Sequence, residues 1–541
     1  RRNNQRLLGV LALSSKVSLG LTNKGIPKKR FSPLDKRYPA FAIATRRPMQ
    51  SSDAYAIIQT DDWTDDKYPS GNLERIIGNI GDYDAERESI KIRYGINWKK
   101  FKFDVDKYLV DLTPDRHNLT DLHCFSIDPP GCKDIDDVLH FKRIDNDTIE
   151  IGIHIADVSS FVQVNTDLDI ELRARGESVY IKDGQTNMMP DIMSTNHCSL
   201  IEGTPRRAFS VIIRLNNNLE KKDVKFIKST IINKRSMTYD EAEETIMYGN
   251  DDDLKALYAI GNRLYDINYH KRVTLDAYKR YDTHMMVEIF MVMANVEVAN
   301  MLVISSPGSA IIRSHKGLKA DRNITLCDDD TDVSKAIQLM NRYKMERAVY
   351  TVYDGESSHH IGLGETCYTH FTSPIRRYFD ITVHRLLWLA VNKGIGPYPV
   401  NLCDLCDHLN ECHKRIGDAH RESARLDKVY DFYRDNPVME TIGYIVNISD
   451  RMLTIYVPNL DIDIEAKIVS DKLIHLIDYI STENEFKMTN IQTRNVMQLA
   501  LLQKLDIRII VSIKKPYVRR KLLVELLNPN PISFIMHTDV P

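Results

Sequence analysis

The chain has 541 residues, several times the size of a usual single domain, which predicts roughly three or four units with separate cores. Its composition, 43% hydrophobic and 27% charged, is that of an ordinary soluble globular protein. It has no run near the roughly 18 apolar residues of a membrane-spanning helix, so we expect no membrane partner. Eight cysteines without the spacing of a disulfide framework favour an intracellular, reducing compartment, cytoplasm or nucleus.

The net charge of −2 hides a strongly basic N-terminal region. Residues 1–50 contain 12 Lys and Arg but a single acid, Asp35, for a local charge of +11. Such a block is typical of a phosphate-binding surface, although a face that merely contacts solvent has the same composition. The chain starts with Arg1 and not with Met, and we expect this terminus to be a fragment boundary or a processing site.

Three parts follow one another along the chain. Residues 1–110 contain short strand-like runs separated by turn residues, which predict a small β-barrel. Residues 111–435 alternate β-rich stretches with long helical patterns, notably at 285–303 and 401–433, as in an α/β unit. Strand-like runs return in 436–541 and predict a second β-barrel. We therefore expect a multidomain α+β protein.

The last part contains a basic segment around one aromatic residue. Lys514, Lys515 and Tyr517 are followed by further cations as far as Lys521. Positive side chains for a phosphate backbone, next to a ring for base stacking, suit a surface for single-stranded nucleic acid. A basic hairpin turn is an equally good interpretation of this segment taken alone.

Four carboxylates fall within ten residues of the middle part: Asp128, Asp134, Asp136 and Asp137. Their apolar flanks predict partial burial, where desolvation and mutual repulsion raise carboxyl pKa values unless a cation compensates the charge. Oxygen ligands favour a hard cation, Mg²⁺ with Mn²⁺ as the alternative. The turn at 129–131 can return Asp128 towards Asp134, whereas Asp137 should face elsewhere unless the backbone bends. An acidic surface turn remains open at this level.

The run 127–137, followed by 153–159, resembles the RNB domain of the RNase II and RNase R family, in the form nearest to the exonuclease of the eukaryotic exosome. Later stretches agree in order: 178–180 with 189–190, 196–200 and 370–378. Residues 31–39 and 69–82 resemble the second cold-shock barrel of that family, and the last part resembles its OB-fold more weakly. The resemblance thus implies an N-terminal cold-shock/OB β-barrel, a central α/β RNB catalytic domain and a C-terminal OB-fold β-barrel.

The resemblance also implies an activity, which is processive 3′-to-5′ hydrolysis of single-stranded RNA to nucleoside 5′-monophosphates. The metal ligands would be Asp128, Asp134 and Asp137 together with Asp136, whose loss should most selectively stop chemistry. Arg376 would contact the scissile phosphate, Arg377 would share that role, and Tyr180 would pack against the terminal nucleotide. Further substrate contacts are expected from Glu288, Arg421, Lys514, Lys515 and Tyr517.

Two positions depart from the family pattern. Ile289 follows Glu288 where the family usually has a second acid, and His420 precedes Arg421 where many members have Glu. These changes keep open a second hypothesis, a catalytically weak or inactive RNA-binding or scaffold subunit of an RNA-decay complex. A nuclease that prefers DNA is a third, because the 2′-OH is what such a site could read.

Cysteines and histidines at 403–420 invite a zinc-site interpretation. However, apolar residues at helical spacing run through the same segment: Leu402, Leu405, Leu409, Cys412, Ile416 and Ala419. We therefore favour the buried face of a helix over a zinc site.

Overall fold

The computed structural model describes residues 5–61, 68–96, 98–102, 104–109, 115–182, 184–269, 271, 281–317, 331–355, 358–392, 398–435 and 437–536. Its contacts separate two compact units. The first unit contains the described residues within 1–98, 325–343 and 415–541, and the second contains those within 99–324 and 344–414. The three-part division at 110 and 435 stays a prediction, and residues 110–114 lie outside the described residues, as do Arg1 and Arg2 of the basic block.

The first unit begins with a small barrel. Its elements are β1 (Arg6–Leu11), β2 (Lys28–Pro33), β3 (Phe41–Ala44), β4 (Ala54–Thr60), β5 (Ser70–Asn79) and the helix α1 (Tyr83–Arg93). The strands close in the order β1-β2-β3-β5-β4, with β3 and β5 parallel and the other pairs antiparallel. Leu7 and Leu11 of β1 alternate inwards onto Phe31. The predicted N-terminal barrel is confirmed.

The second unit is built on a six-stranded sheet. Its first elements are β6 (His117–Asn118), β7 (Cys124–Asp128), β8 (Asp137–Arg143), β9 (Thr148–Ala156), α2 (Asp167–Arg175), β10 (Val179–Ile181), β11 (Gly184–Thr186), β12 (Pro205–Asn216) and β13 (Lys221–Thr238). The order is β12-β9-β8-β7-β13-β6, and β12 also pairs with β13, which closes a ring of five strands. All nine residues of β9 are buried, as expected for a strand covered on both faces.

Helices and one hairpin complete the middle of the chain. They are α3 (Tyr239–Tyr248), α4 (Asp252–Tyr269), α5 (Thr283–Ser305), β14 (Ile311–Ser314), α6 (Asp332–Lys344), β15 (Val349–Val352), α7 (Tyr378–Val391) and α8 (Leu402–Asp435). Among the described residues, α5 alone is long and apolar enough to cross a membrane, with a mean hydropathy of 1.8 over 18 residues. Twelve of its 23 residues are buried, and it packs against α4 and α7. It is a core helix of the second unit.

The apolar stripe of α8 is confirmed, because all six of its residues are buried: Leu402, Leu405, Leu409, Cys412, Ile416 and Ala419. The seven cysteines in the described part of the chain form no disulfide. In that part, the cysteines and histidines of α8 also do not bring three ligand atoms together. The structure therefore supports the helix-face interpretation of this segment.

The end of the chain folds into two antiparallel sheets. Their strands are β16 (Val438–Ser449), β17 (Met452–Val457), β18 (Ile462–Lys467), β19 (Ile477–Ser481), β20 (Glu485–Asn490), β21 (Val496–Ala500), β22 (Lys504–Val511) and β23 (Leu522–Asn528), before the helix α9 (Pro531–Met536). One sheet has the order β18-β17-β16-β22-β23 and the other β19-β20-β21. The predicted fold class, with OB-like sheets at both ends, is confirmed.

A buried ion pair joins the two β-rich regions of the first unit. Lys521 Nζ donates to Glu86 Oε1 at 2.8 Å, and both side chains are at most 1% exposed. Tyr55 also donates to this glutamate, at 3.0 Å. A buried charge is tolerated when an opposite charge and hydrogen bonds compensate its loss of solvation, and Glu86 has both.

Candidate active site

The aspartate cluster lies around the connection between β7 and β8. Asp128 is the last residue of β7, Asp137 is the first of β8, and Gly131 between them has a φ of +77°, which favours glycine. Phe125 lies opposite Leu139, so the antiparallel register brings Asp137 back to the level of Asp128. The backbone thus bends between the two strands, which is the condition under which the sequence allows Asp137 to join the cluster.

Asp136 is buried, at 6% exposure, and its carboxylate has defined partners. The backbone N–H of Ile375 donates to Oδ1 at 2.9 Å, and Arg376 Nε lies 3.6 Å from Oδ2. Burial nevertheless raises the pKa of Asp136 well above its usual value, against the lowering effects of Arg376 and the Ile375 N–H. Arg376 also donates to Ser373 Oγ at 3.0 Å, and 44% of its side chain is exposed.

Asp134 is held by a hairpin. Tyr180 on β10 and Gln185 on β11 lie opposite each other, and both donate to Asp134 Oδ2, at 3.1 and 2.9 Å. Gln185 was not singled out from the sequence, because an isolated glutamine carries no signal and only the hairpin register places it here. Cys132 Sγ lies 3.7 Å from the other oxygen, Oδ1.

Asp128 and Asp137 carry the least compensated charge of the cluster. Asp128 Oδ2 is buried and has no hydrogen-bond partner among the described residues. Burial, with the charge of Asp134, raises the pKa of Asp128 to about 6. Burial, with the charge of Asp128, raises the pKa of Asp137 to about 7, although Arg376 lowers it. Crowded oxygen donors with so little positive charge suit a bound cation.

Tyr239, the first residue of α3, borders the same cluster. Its ring stacks on His284 with the centroids 3.6 Å apart and the planes 7° from parallel. Burial and the charges of Asp137 and Asp128 raise the pKa of Tyr239 to about 12. No sequence motif points to Tyr239, which is placed by the parallel pairing that sets Thr238 opposite Asp128.

A second polar group, the histidine network, lies inside the strand ring. Ligand atoms of Cys124, His140 and His154 lie within 4.8 Å of one another, which no three carboxylates of the aspartate cluster do. His140 Nδ1 is 2.8 Å from His154 Nε2, and His154 Nδ1 is 2.7 Å from Ser210 Oγ. A hydrogen bond between the rings directs the accepting lone pair at the other ring and not at a shared cation. Gly152 makes room for this network, since a Cβ there would lie 2.0 Å from His140 Nδ1.

Arg377 has a different partner from the predicted one. Its Nε donates to Asp380 Oδ2 at 2.9 Å and its Nη2 donates to Asp380 Oδ1 at 2.8 Å. The Asp380 side chain is fully buried. The guanidinium thus pairs bidentately with a carboxylate of its own helix turn, whereas that of Arg376 faces the aspartates.

Glu288 and Ile289 are neighbours on α5 but differ in solvent exposure. Glu288 is exposed, and Ile289 is 4% exposed within the hydrophobic core. Successive helix residues point about 100° apart, so an isoleucine at this core position is compatible with the packing. Arg421 is bonded to Asp418 one turn earlier on α8.

The residues of the basic segment near the C-terminus differ in solvent exposure. Lys514 and Lys515 are exposed, as a contact with a phosphate backbone requires. Tyr517 is partly buried, and its hydroxyl donates to the backbone oxygen of Leu34 at 2.8 Å. Its ring also lies 5.0 Å from the guanidinium of Arg520. Tyr517 thus contributes to the packing of the first unit through its hydroxyl, and its role in base stacking stays a prediction.

The sequence pattern of the RNB domain matches residues 116–393, just over half of the chain. The chain belongs to the RNB domain family. The pattern of the Dis3-like cold-shock domain 2 matches residues 29–95, which lie in the first barrel and α1. All four aspartates and Arg376 thus lie within the RNB domain, and the closed barrel precedes it.

The RNB protein is 28% identical to exosome complex exonuclease RRP44 of Homo sapiens, over 91% of this chain and 60% of the human protein. The chain therefore spans only 60% of the length of that relative. RNase R of Mycoplasma genitalium, solved in complex with ribose-methylated single-stranded RNA, has a TM-score of 0.73 at 18% identity, covering 96% of this chain and 100% of that one. Yeast Ssd1, described as a pseudonuclease, has a TM-score of 0.71 at 18% identity, covering 99% and 84%. At these identities the likeness shows the fold alone.

Proposed function

We propose that this RNB protein is a metal-dependent 3′-to-5′ exoribonuclease that hydrolyses single-stranded RNA processively to nucleoside 5′-monophosphates. The observation that carries the proposal is the intact aspartate cluster with Arg376 3.6 Å from Asp136. Membership of the RNB domain family supports the reaction class, and the human relative is named an exonuclease.

The cluster fits a divalent cation by its donors. It offers only carboxylate oxygens, one of them, Asp128 Oδ2, buried without a hydrogen-bond partner in the described part of the chain. Asp128, Asp134 and Asp137 would hold the cation, with Asp136 beside them, and hard oxygen donors favour Mg²⁺ over softer metals, with Mn²⁺ as the alternative. Such a cation, when bound, stabilises charge on the phosphate oxygens and makes water a better nucleophile.

Arg376 is the group suited to bind the scissile phosphate. One side of its guanidinium faces Asp136 and Nη2 donates to Ser373 Oγ, while 44% of the side chain remains open to solvent. A planar guanidinium in this position can still donate to phosphate oxygens. Asp136, oriented by the backbone N–H of Ile375, can accept a proton from the attacking water.

Tyr180 is the group suited to receive the terminal base. Its hydroxyl donates to Asp134 Oδ2, and the side chain is 42% exposed at the edge of the aspartate cluster. A base stacked on this ring would place the last phosphodiester near the carboxylates, which fits release of single nucleotides. Glu288, Arg421, Lys514 and Lys515 stay proposed substrate contacts.

The proposed setting is an RNA-decay complex in an intracellular, reducing compartment. The human relative is named as a component of the exosome complex, and the seven described cysteines form no disulfide. The scaffold hypothesis stays the alternative because Ile289 and His420 depart from the family pattern. We prefer the active enzyme, because all four aspartates and Arg376 are in place.

The deciding experiment measures products from 3′-end-labelled single-stranded RNA with Mg²⁺, with Mn²⁺ and with a chelator, beside a DNA of the same sequence. We expect labelled nucleoside monophosphate from the first time points, only with metal and only from RNA. RNA binding without release would establish the scaffold hypothesis instead. Faster cleavage of the DNA than of the RNA would establish the third hypothesis.

A further inference from the structure

The β10–β11 hairpin donates two hydrogen bonds to one oxygen of the aspartate cluster, Asp134 Oδ2. Tyr180 and Gln185 lie opposite each other in the hairpin, and both donate to Asp134 Oδ2, at 3.1 and 2.9 Å. A carboxylate oxygen has two lone-pair sites, so two donors fill them. This arrangement fixes the rotation of the Asp134 carboxylate.

The second oxygen of Asp134 thereby faces the thiol of Cys132. Cys132 Sγ lies 3.7 Å from Asp134 Oδ1, and the same thiol hydrogen-bonds with the side chain of Asp128. Asp128 Oδ2, in turn, is buried without a partner among the described residues. A thiol is a weak donor, so Asp134 Oδ1, which accepts from Cys132, and Asp128 Oδ2 are the two oxygens of this pair most open to a cation.

We propose that Gln185 is a positioning residue that presents Asp134 Oδ1 to the metal. The inference rests on the proposed function of a metal-dependent nuclease. A neutral amide can orient a carboxylate without cancelling its charge, whereas a cation at the same position would pair with it and compete with the metal. Gln185 shares Asp134 Oδ2 with the hydroxyl of Tyr180, whose ring is proposed to receive the terminal base, so the hairpin links base binding to the metal ligand.

The test compares Mn²⁺ binding to the full 541-residue chain by isothermal titration calorimetry. Gln185→Ala should weaken Mn²⁺ binding by about tenfold, the effect of losing a group that orients a metal ligand. Gln185→Lys should weaken it further. The matched control is Gln163→Ala, an exposed glutamine in the same unit, which should leave the affinity unchanged.

RNA hydrolysis at varied Mn²⁺ separates positioning from a general structural defect. For Gln185→Ala, the Mn²⁺ concentration that gives half of the maximal rate should rise by the same tenfold, while the rate at saturating Mn²⁺ stays within about twofold of the wild type. A misfolded variant would instead lose rate at every metal concentration. Tyr180→Phe removes only the hydroxyl, and its combination with Gln185→Ala should weaken Mn²⁺ binding by more than the product of the single effects, because each single variant keeps one donor.

Two failures are distinguishable. If the wild type degrades RNA with Mn²⁺ but Gln185→Ala binds Mn²⁺ within twofold of the wild type, the positioning role is overturned and the proposed function stands. If the wild type binds Mn²⁺ through Asp134 but releases no nucleotide, the proposed function is overturned, and the affinity of Gln185→Ala still decides the positioning role.

Discussion

Two polar clusters lie on β7, β8 and β9, and they differ in how their polar atoms are satisfied. In the histidine network, His140 and His154 bond each other, and the chain of bonds continues to Ser210 and then to Ser229 at 2.6 Å. At the strand ends, Asp128 keeps a buried oxygen without a partner in the described part of the chain. Buried polar groups of a folded protein are normally paired, and an unpaired carboxylate oxygen close to other carboxylates suits a bound cation.

The difference shows that proximity of ligand-type atoms does not by itself identify a metal site. The three residues of the histidine network converge more closely than the carboxylates, yet the bond between His140 and His154 uses a ring lone pair that a metal would need. His140 Nε2, which has no hydrogen bond among the described residues, lies 3.6 Å from Glu150 Oε1. The carboxylates are farther apart and less satisfied. The direction of the lone pairs and the uncompensated charge therefore identify a metal site better than the distances between ligand atoms do. Mutations in the two clusters can test this difference.

Asp136→Asn should have the largest effect. The amide oxygen can still accept from the Ile375 N–H, but the charge facing Arg376 is lost, so we expect RNA hydrolysis to slow by about a thousandfold while the melting temperature is unchanged or higher. Single-turnover release from 3′-end-labelled RNA and thermal unfolding measure the two quantities. If Asp136→Asn still hydrolyses RNA at the wild-type rate, the aspartates have a structural role, like the histidine network, and no catalytic one.

Arg376→Gln and Arg377→Gln form a matched pair of adjacent substitutions. The first should slow hydrolysis about a hundredfold at unchanged stability, since Arg376 faces the aspartates. The second should lower the free energy of unfolding by about 3–5 kcal/mol, because it leaves Asp380 buried without its partner. Urea denaturation and hydrolysis rates on both variants separate the roles. If both variants show the same changes in hydrolysis rate and in stability, the two arginines do not have the different roles assigned to them.

His154→Leu should affect stability and leave chemistry intact. It removes the partner of His140 and of Ser210, and each buried group left unpaired costs about 1–3 kcal/mol. We expect a lower urea midpoint, with an unchanged hydrolysis rate per folded molecule and an unchanged Mn²⁺ affinity. A fall in Mn²⁺ affinity would show that the histidine network binds the metal after all.

The two clusters should also respond to pH with opposite signs. Asp128 and Asp137 have folded-state pKa values of about 6 and 7, above the ordinary 3.8, so without metal the free energy of unfolding falls as pH rises from about 4 to 7. His154 has its pKa lowered below 6.5 by burial, so its contribution is lost as pH falls below that value.

Metal binding gives this pH dependence a direct measurement. A cation must displace the carboxyl protons below about pH 7, so Mg²⁺ should raise the melting temperature more at pH 8 than at pH 5.5. Asp137→Asn should reduce that difference. A Mg²⁺ effect independent of pH would contradict the assignment of the carboxylates as ligands.

Lys514→Ala should have the smallest effect. This exposed lysine is proposed to contact the RNA backbone, and its loss should weaken RNA binding a few-fold and reduce the salt-dependence slope by about 0.7. Tyr517→Phe is the contrast, because its hydroxyl donates to Leu34 and its loss should change stability and not RNA affinity. Filter binding at several salt concentrations distinguishes the two.

Local pattern predicted much of the fold and the centre of the candidate site. Strand alternation, the stripe of α8 and the density of carboxylates at 128–137 are properties of short segments, and the structure agrees with them. Local pattern could not predict the contacts that depend on the pairing register of distant segments. Gln185 reaches Asp134 across 51 residues and Tyr239 reaches the cluster through the pairing of β13 with β7, so neither has a signature of its own.

Adjacent residues with the same chemistry also escaped prediction. Arg376 and Arg377 look alike in the sequence, but the start of α7 turns one towards Asp136 and the other towards Asp380. Tyr517 lies in a basic segment that suits RNA, yet packing against Leu34 uses its hydroxyl. Burial and side-chain direction, set by tertiary packing, decided these cases.

The backbone donor to Asp136 lies 239 residues further along the chain. During synthesis at about 5–20 residues per second, the aspartates therefore leave the ribosome roughly 10–50 seconds before Ile375 and Arg376. Throughout that interval a nascent chain carries the carboxylates without the guanidinium that faces them. The proposed nuclease centre is therefore complete only after residues 128–137 and residues 375–376 have both been synthesised and brought together.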